Sequence, residues 1–427
     1  MASKAAIGSA GQRELATRVE GRSRLFLGMS ALLLLMILLT GVMPEIGYAE
    51  DVPETSRDLG PASEAANSGE KRVGPARFHD PEDGHLDLSY FLENPRGFLP
   101  IPIVITEPAV GYGAGVIAMF LRPREEAGGE GWARPNIAAV GALATENGTR
   151  AAFAGDSSRW LDGRLKTLVG GGGGKINLDF YGLGPASASL DEAVRYSLDF
   201  SLALVQGNWQ LRPKSPWAVG LRYVYAQVQP KLRDTPLFPG LADHIDVKVS
   251  APAGILEFDS RDNLFTPTRG IYAESSILVS RENLGASDDF ERFQQVLMGW
   301  YPITDDVTLG LRGDYQWSSE GTPFFLRPYI KLRGVTAMRY QGDEMASVEV
   351  EARWQFRPRW SAVAIAGGGT ARTSRASFSD RKNVSSGGIG FRYELARKFG
   401  LHAGLDVAFS SETTAVYIQV GNAWFRP

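Results

Sequence analysis

Residues able to perform catalysis or hold a metal ion are scarce in this chain. It has no cysteine and only four histidines, His79, His85, His244 and His402. The lack of cysteine excludes thiolate nucleophiles, thiolate metal sites and disulfides. His402 and Asp406 stand four residues apart, on one face if the segment is a strand, and we interpret them as a hydrogen-bonded pair with a structural role. We therefore expect neither an enzyme nor a metal centre.

A run of five glycines, residues 170–174, precedes Lys175 and has the composition of a phosphate-binding loop. Such a loop needs an earlier glycine, and after the lysine it needs a hydroxyl residue that contacts magnesium. Val169 and Ile176 stand at these two positions. We therefore expect no nucleotide and no other cofactor.

The stretch DSRDNLFTPTRG, residues 259–270, combines opposite charges with turn-forming residues. Asp259 and Asp262 can accept backbone N–H bonds while Arg261 bridges the two carboxylates, and Pro267 and Gly270 can supply the turn dihedrals. Taken alone, the stretch predicts a structural turn with its own charge network.

A second charged stretch is LRGVTAMRY, residues 332–340. Arg333 followed by Gly334 near the tip of a loop could reach far, and a carboxylate on the next strand could hold its guanidinium in a bidentate pair. Glu349 and Glu351 are the candidate partners. The alternative is a solvated arginine on the surface.

Alternating residues indicate the elements that must position these motifs. From Phe98 to Phe425 the chain consists of short runs with period two, which place one set of residues on each face of a strand. Around the candidate partners, Val348, Val350 and Trp354 share one face, and the opposite face is charged. The pattern predicts an all-β chain of about sixteen antiparallel strands, one face apolar and the other charged.

A soluble sandwich would alternate as well, so two further features decide. Tryptophan and tyrosine gather at strand ends, where they suit a bilayer interface, and short turns alternate with longer loops such as 318–343 and 371–384. Both features favour a transmembrane β-barrel, with the last strand pairing with the first. The aromatic residues are Trp217, Trp300, Tyr301, Trp317, Trp354, Trp360 and Trp424.

The charged face would then line the lumen with both signs of charge. We expect either internal salt bridges around a folded-in loop or a wet lumen where polar residues are tolerated. The residues expected to point inward are Arg222, Arg312, Asp314, Glu349, Glu351, Arg353, Arg392, Glu394, His402 and Asp406.

The N-terminal region has a separate organisation. Arginines precede an uncharged stretch from Leu25 to Met43, and Gly47 and Ala49 suit a cleavage site, so residues 1–49 are predicted to be a signal peptide. A retained helical anchor is the alternative. Residues 50–84 read as a disordered periplasmic linker, and residues 85–427 as the barrel. The net charge of -3 gives no basic field for nucleic acid.

The motifs together resemble the BamA/TamA family of outer-membrane proteins, whose sixth surface loop carries an Arg-Gly motif that folds into the lumen. Arg333 and Gly334 match that motif, Glu351 and Arg353 match the family's E-x-R, and Gly388, Gly390 and Arg392 match its later G-x-G-x-R. The resemblance implies the outer membrane of a Gram-negative bacterium, weakly paired first and last strands, and a role in protein or lipid assembly or translocation. Its partners would be outer-membrane lipid and envelope proteins, and we expect a monomer.

Three departures limit what the resemblance implies. The predicted linker leaves no room for periplasmic polypeptide-transport domains. Gly367 stands where many members have an aspartate that receives the loop arginine, which leaves Glu349 or Glu351 for Arg333. Phe425 is followed by Arg426 and Pro427 instead of ending the chain. A passive porin for small solutes is the alternative function.

Overall fold

The computed structural model describes residues 78–90, 98–105, 110–122, 136–180, 194–213, 215–232, 246–263, 265–375 and 378–424. It contains sixteen strands, which confirms the predicted all-β class. They are β1 (Phe98–Ile105), β2 (Gly113–Arg122), β3 (Asn136–Thr145), β4 (Arg150–Trp160), β5 (Leu165–Phe180), β6 (Val194–Gln210), β7 (Trp217–Leu232), β8 (Val247–Asp259), β9 (Gly270–Ser280), β10 (Phe290–Pro302), β11 (Val307–Ser318), β12 (Glu344–Arg357), β13 (Trp360–Arg375), β14 (Phe378–Ala396), β15 (Leu401–Ser410) and β16 (Thr414–Val420).

The described connections contain a few short helical turns. Three 3-10 helices of three residues each follow β9, β11 and β14, at Glu282–Leu284, Phe324–Leu326 and Arg397–Phe399. Across the described ranges, no helix has both the length and the apolar character needed to cross a bilayer.

All sixteen strands form one sheet in which each strand pairs with the next in sequence. Every ladder is antiparallel. Trp424, which follows β16, packs on Trp300 of β10 with ring centroids 6.0 Å apart. This contact between strands distant in the order shows that the sheet curls.

The predicted pairing of the last strand with the first is wrong for the described strands, since no ladder joins β16 to β1. We call the gap between these two edges the seam. Alternation assigns the two faces of an edge strand, but it does not specify a hydrogen-bonding partner.

The outer face of the sheet is strongly apolar. Leu221 is 74% exposed and Ile389 68% exposed, and most other exposed large apolar residues also lie on the strands. Apolar area in water costs about 25 cal/mol per Å², so a continuous surface of this kind is suited to contact with lipid. The prediction that the aromatic residues lie at the bilayer interface is wrong for Trp300 and Trp424, which are buried inside. The other five are exposed: Trp217, Tyr301, Trp317, Trp354 and Trp360.

The inner face has two parts. The ten charged residues expected to point inward are all buried or half-buried. However, the inner face of β5–β8 is mainly apolar toward the long loops, with Ile176, Leu198, Val224 and Val249 buried. The expectation of a consistently charged inner face is therefore wrong for these strands, because period two alone cannot tell which of two apolar sets faces lipid.

The predicted loop rhythm is confirmed only in part. The connections 211–216, 303–306 and 358–359 are short and the loop 319–343 is long, but three residues, 411–413, are all that separate β15 from β16 at the long-loop end. The predicted long loop at 371–384 is mostly strand, because β13 continues to Arg375 and β14 begins at Phe378. The extensions pair with each other, with Ala371 opposite Lys382. Strands that project beyond a bilayer have water on both faces, so their sequence loses the alternation that would have revealed them.

The predicted signal peptide and residues 50–77 of the predicted linker lie outside the described residues. The last part of that linker, residues 78–84, is described. It contacts the turns of the barrel, and His79 forms an isolated antiparallel bridge with Leu86.

Candidate functional site

The connection between β11 and β12, residues 319–343, is a long loop that folds into the lumen. Arg327 pairs with Asp343 at its base, and Tyr329 forms an isolated bridge with Gln341, so the loop doubles back on itself. Most of its large side chains are buried. The buried apolar residues are Phe325, Leu326, Tyr329, Ile330, Leu332, Val335 and Met338.

Arg333 at the inner part of this loop is held by three carboxylates. Its Nε donates to Glu349 at 3.0 Å, and its Nη1 donates to Glu351 at 2.7 Å and to Asp406 at 2.9 Å. The Arg333 backbone N–H also donates to Glu349, at 3.0 Å. The arginine side chain is only 2% exposed. It is therefore a buried clamp and not a solvated surface residue, and both partners expected from the sequence take part.

Gly334 lets the loop touch the barrel wall. Its φ of +81° favours glycine, and a Cβ built there would lie 2.6 Å from the backbone N of Phe409. Its own N–H donates to the Tyr417 hydroxyl at 2.7 Å. The Arg-Gly pair thus joins a far-reaching cation to a residue with no side chain at the point of closest approach.

Asp406 was not identified as an Arg333 partner from the sequence. It also accepts from both terminal nitrogens of Arg392, at 2.5 and 2.9 Å. The expected pair of His402 with Asp406 is wrong, because His402 Nδ1 lies 3.1 Å from the Gly400 carbonyl instead. The one sequence signal for the position of Asp406 was Gly390, which lies opposite Asp406 in the ladder. A Cβ built on Gly390 would lie 1.9 Å from the Asp406 carboxylate.

Gly367 on β13 lies where the inserted loop comes close to the barrel wall. A Cβ at this position would lie 2.9 Å from Leu332 Cδ2. At Gly369 a Cβ would lie 2.7 Å from Ile330 Cγ2. The two glycines make room for the loop beside β13, and the loop arginine binds carboxylates of β12 and β15.

Trp424, after β16, completes the clamp. Its indole N–H donates to Glu349, and its ring lies 5.9 Å from the Arg333 guanidinium. Trp300 packs against its other side. The chain beyond the last strand is thereby tied to the loop arginine.

The motif 259–270 lies at the opposite, short-turn end of the barrel. Asp259 and Asp262 both accept backbone N–H bonds as predicted, from Arg261 at 3.1 Å and from Thr268 at 3.0 Å, and the Arg261 side chain pairs with Asp259. Gly270 has φ +104°, and a Cβ there would meet the Ser260 carbonyl at 2.3 Å. Pro267 is buried in the same turn.

This turn also reaches across the barrel mouth. Asn263 donates to the Phe399 carbonyl at 2.9 Å, and Asn422 donates to the Phe265 carbonyl at 3.1 Å. Arg353 donates to the Pro267 carbonyl at 3.4 Å, which links the turn to β12. The motif is therefore more than a local turn, because it packs into one end of the lumen while the loop 319–343 fills the other.

The site as a whole is a set of buried, paired charges. Within the residues that the structure describes, no group of acidic or histidine side chains could hold a metal ion. The charges of the clamp come close to balance, with two guanidinium groups, of Arg333 and Arg392, facing three carboxylates. Arrangements of this type fix a structure in place.

Comparisons with known proteins place the fold. No protein-family model and no curated protein matches the sequence. Among solved structures, BamA from Haemophilus ducreyi lacking POTRA domains 1–3 aligns with a TM-score of 0.52 and 11% identity, over 76% of this chain and 69% of that one. The chain has the barrel fold of BamA.

Two further structures agree. CdiB from Escherichia coli aligns with a TM-score of 0.53 and 12% identity over 75% of this chain. CdiB from Acinetobacter baumannii aligns with a TM-score of 0.52 and 11% identity over 74% of this chain. This chain covers 61% and 56% of those two chains. The resemblance predicted from the motifs is confirmed for the barrel fold.

Proposed function

We propose that this protein resides in the outer membrane of a Gram-negative bacterium and takes part in the assembly or translocation of envelope proteins or lipids. The observation that carries the proposal is the buried clamp, in which Arg333 of an inserted loop meets Glu349, Glu351 and Asp406. The BamA-like barrel fold supports the same assignment.

The two edges of the sheet supply a physical basis for handling polypeptide. The edge strands β1 and β16 are not paired with each other in the described sheet. Edge strands present backbone donors and acceptors to an incoming strand. Outer-membrane lipid and client envelope proteins are therefore the proposed partners, with no nucleic acid, and the protein acts as a monomer without an enzymatic step.

The alternative function, a passive porin, has less support. A porin needs a continuous aqueous path, whereas here the loop 319–343 packs into the lumen from one end and residues 259–270 from the other. The loop is held by buried ion pairs, and removing one partner of such a pair costs about 3–5 kcal/mol.

The deciding experiment is a deletion strain with a quantitative inventory of its outer-membrane proteins and lipids. We expect depletion of specific barrel proteins or secreted proteins, rescued by the wild-type gene and poorly rescued by Arg333→Ala. Arg339→Ala is the matched control, because Arg339 lies on the same loop and forms a half-exposed pair with Glu412. An unchanged inventory would refute the proposed role.

Planar-bilayer recordings test the alternative directly. Large, stable, ion-selective steps from the wild-type protein would establish a porin. Small, irregular conductance that rises in Arg333→Ala would support a lumen closed by the loop.

A further inference from the structure

The described residues before β1 bind the rim of the barrel on the far side of the seam. Arg359, in the turn between β12 and β13, points into this segment with its side chain 2% exposed. It donates to Asp80 and Asp83, and to Asp87 at 2.8 Å. Its Nη1 also lies within bonding distance of the Leu86 carbonyl, at 3.3 Å. One guanidinium thus organises three aspartates of the pre-barrel chain.

The neighbouring turn between β14 and β15 adds a second set of contacts. Arg397 pairs with Glu82 at 2.9 Å, and its backbone N–H donates to Asp87 at 3.1 Å. The Lys398 N–H donates to Ser89 Oγ at 3.1 Å. The segment is therefore bound by main-chain groups as well as by charges.

Strand β14 and the mouth of the barrel provide the rest of the binding surface. The Leu88 N–H donates to the Leu395 carbonyl at 2.8 Å, and the Tyr393 hydroxyl donates to the Leu86 carbonyl at 2.8 Å. The Leu88 side chain packs against a buried apolar cluster. The members of this cluster are Phe265, Ala396, Phe399 and Leu401.

Arg359 itself has an unusual backbone. Its φ is +67°, a conformation that residues other than glycine rarely adopt. Strained residues of this kind cluster where a specific contact depends on them. Arg357, the last residue of β12, is exposed and has an ordinary backbone.

The connectivity gives these contacts a consequence for the seam. The chain that leaves Ser89 enters β1 at Phe98, and β1 is one edge of the sheet. The segment before it is bound to β14 and to the turns beside it, close to the other edge. The contacts therefore tie the two sides of the seam together at the short-turn end.

We propose that residues 80–89 form a clasp, bound by Arg359 and Arg397, that restrains opening of the seam between β1 and β16. The clasp is independent of the function proposed above, since it concerns how far the edges can separate and not what passes between them. Releasing it would free the β1 edge while leaving the Arg333 clamp in place.

Cysteine labelling of the full chain in lipid vesicles tests whether Arg359 holds the clasp. The protein has no native cysteine, so Leu88→Cys is a unique and half-buried thiol. In Arg359→Gln we expect its maleimide labelling to speed up about 30-fold or more, as expected when one partner of a buried charge pair is lost. Leu86→Cys, at an exposed position, and Arg357→Gln are controls that should show no change. Unchanged labelling of Leu88→Cys would overturn the clasp.

Spin labels test the effect on the seam. Phe120→Cys on β2 and Val407→Cys on β15 place labels on exposed positions beside the two edge strands. The distance distribution between them should broaden or lengthen in Arg359→Gln and not in Arg357→Gln. The triple variant Asp80→Asn, Asp83→Asn, Asp87→Asn leaves the barrel sequence intact and should give the same result. A free segment with an unchanged distance distribution would overturn the restraint on the seam.

Discussion

The lumen is closed by two kinds of contact that differ in physical character. On one side, the loop 319–343 meets apolar residues of β3–β10, such as Phe325 packed in a cluster with Leu198 and Val249. On the other side, Arg333 meets the carboxylates of β12 and β15. Apolar packing is non-directional and tolerates small shifts, whereas buried charges need their partners in place.

The two kinds of contact have different roles within one loop. The apolar side supplies area that excludes water and fills the barrel. The charged side fixes the position of the loop, because a displaced guanidinium would leave unpaired carboxylates in a buried setting. Each kind of contact can be broken separately, which allows the comparison to be tested.

The largest expected effect is that of Arg333→Ala. Removing the arginine leaves Glu349 buried without the guanidinium that pairs with it and leaves Asp406 with Arg392 alone, so the free energy of unfolding should fall by about 3–5 kcal/mol. The midpoint of urea unfolding in lipid vesicles measures this loss. Arg339→Ala should lower it by no more than about 1 kcal/mol, because its ion pair is half-exposed. Equal effects of the two variants would contradict a buried clamp.

On the apolar side, Leu198→Ala should destabilise the protein by about 2–5 kcal/mol through a cavity. Leu198 is 3% exposed. The same unfolding measurement applies, with Leu221→Ala on the outer face as the control for loss of a leucine. A larger loss in Leu221→Ala would mean that the assignment of inner and outer faces is reversed.

A smaller effect is expected where the loop approaches β13. Gly369→Ala places a methyl group 2.7 Å from Ile330 Cγ2, and overpacking of this kind costs about 1–3 kcal/mol. Gly368→Ala is the adjacent control, because its Cβ would meet only the Val384 carbonyl at 3.8 Å. Similar stability of the two variants would show that the loop can move aside from β13.

The smallest expected effect is that of low pH on the docking of residues 80–89 to the barrel. Arg359 lowers the pKa of Asp83 below its ordinary value of 3.8. Burial acts to raise the pKa of Asp87, but bonds from Ser89 and Arg359 outweigh it, and the net pKa is lowered. Carboxylates with a lowered pKa stabilise docking fully above about pH 3.8, and this contribution is lost as the pH falls through the lowered values.

A nitroxide label at Leu86→Cys reports this release through its mobility in electron paramagnetic resonance. We expect docking to hold from neutral pH to about pH 4 and to weaken below it. The other charged groups near these aspartates are Asp80, Glu82, His85, Glu394, Arg397 and Lys398. Release between pH 5 and 7 would point to a histidine instead and contradict the assignment to the aspartates.

The sequence was sufficient for the fold and for part of the clamp. Period two with turns at regular spacing yields strands, because the pleat sends neighbouring side chains to opposite faces. Arg333, Glu349 and Glu351 could be grouped because a loop and the strand that follows it are close in the chain. The polar hairpin at 371–384 was missed because water on both faces removes the alternation.

Tertiary structure alone decided the contacts between elements distant in the chain. Asp406 lies 73 residues from Arg333, and Arg359 lies 272 residues from Asp87. Which inward carboxylate meets an arginine depends on the curl of the sheet and on where the glycines admit the loop. The period of a strand states which face a side chain takes, but the residue that it meets across the lumen is determined by packing of the whole barrel.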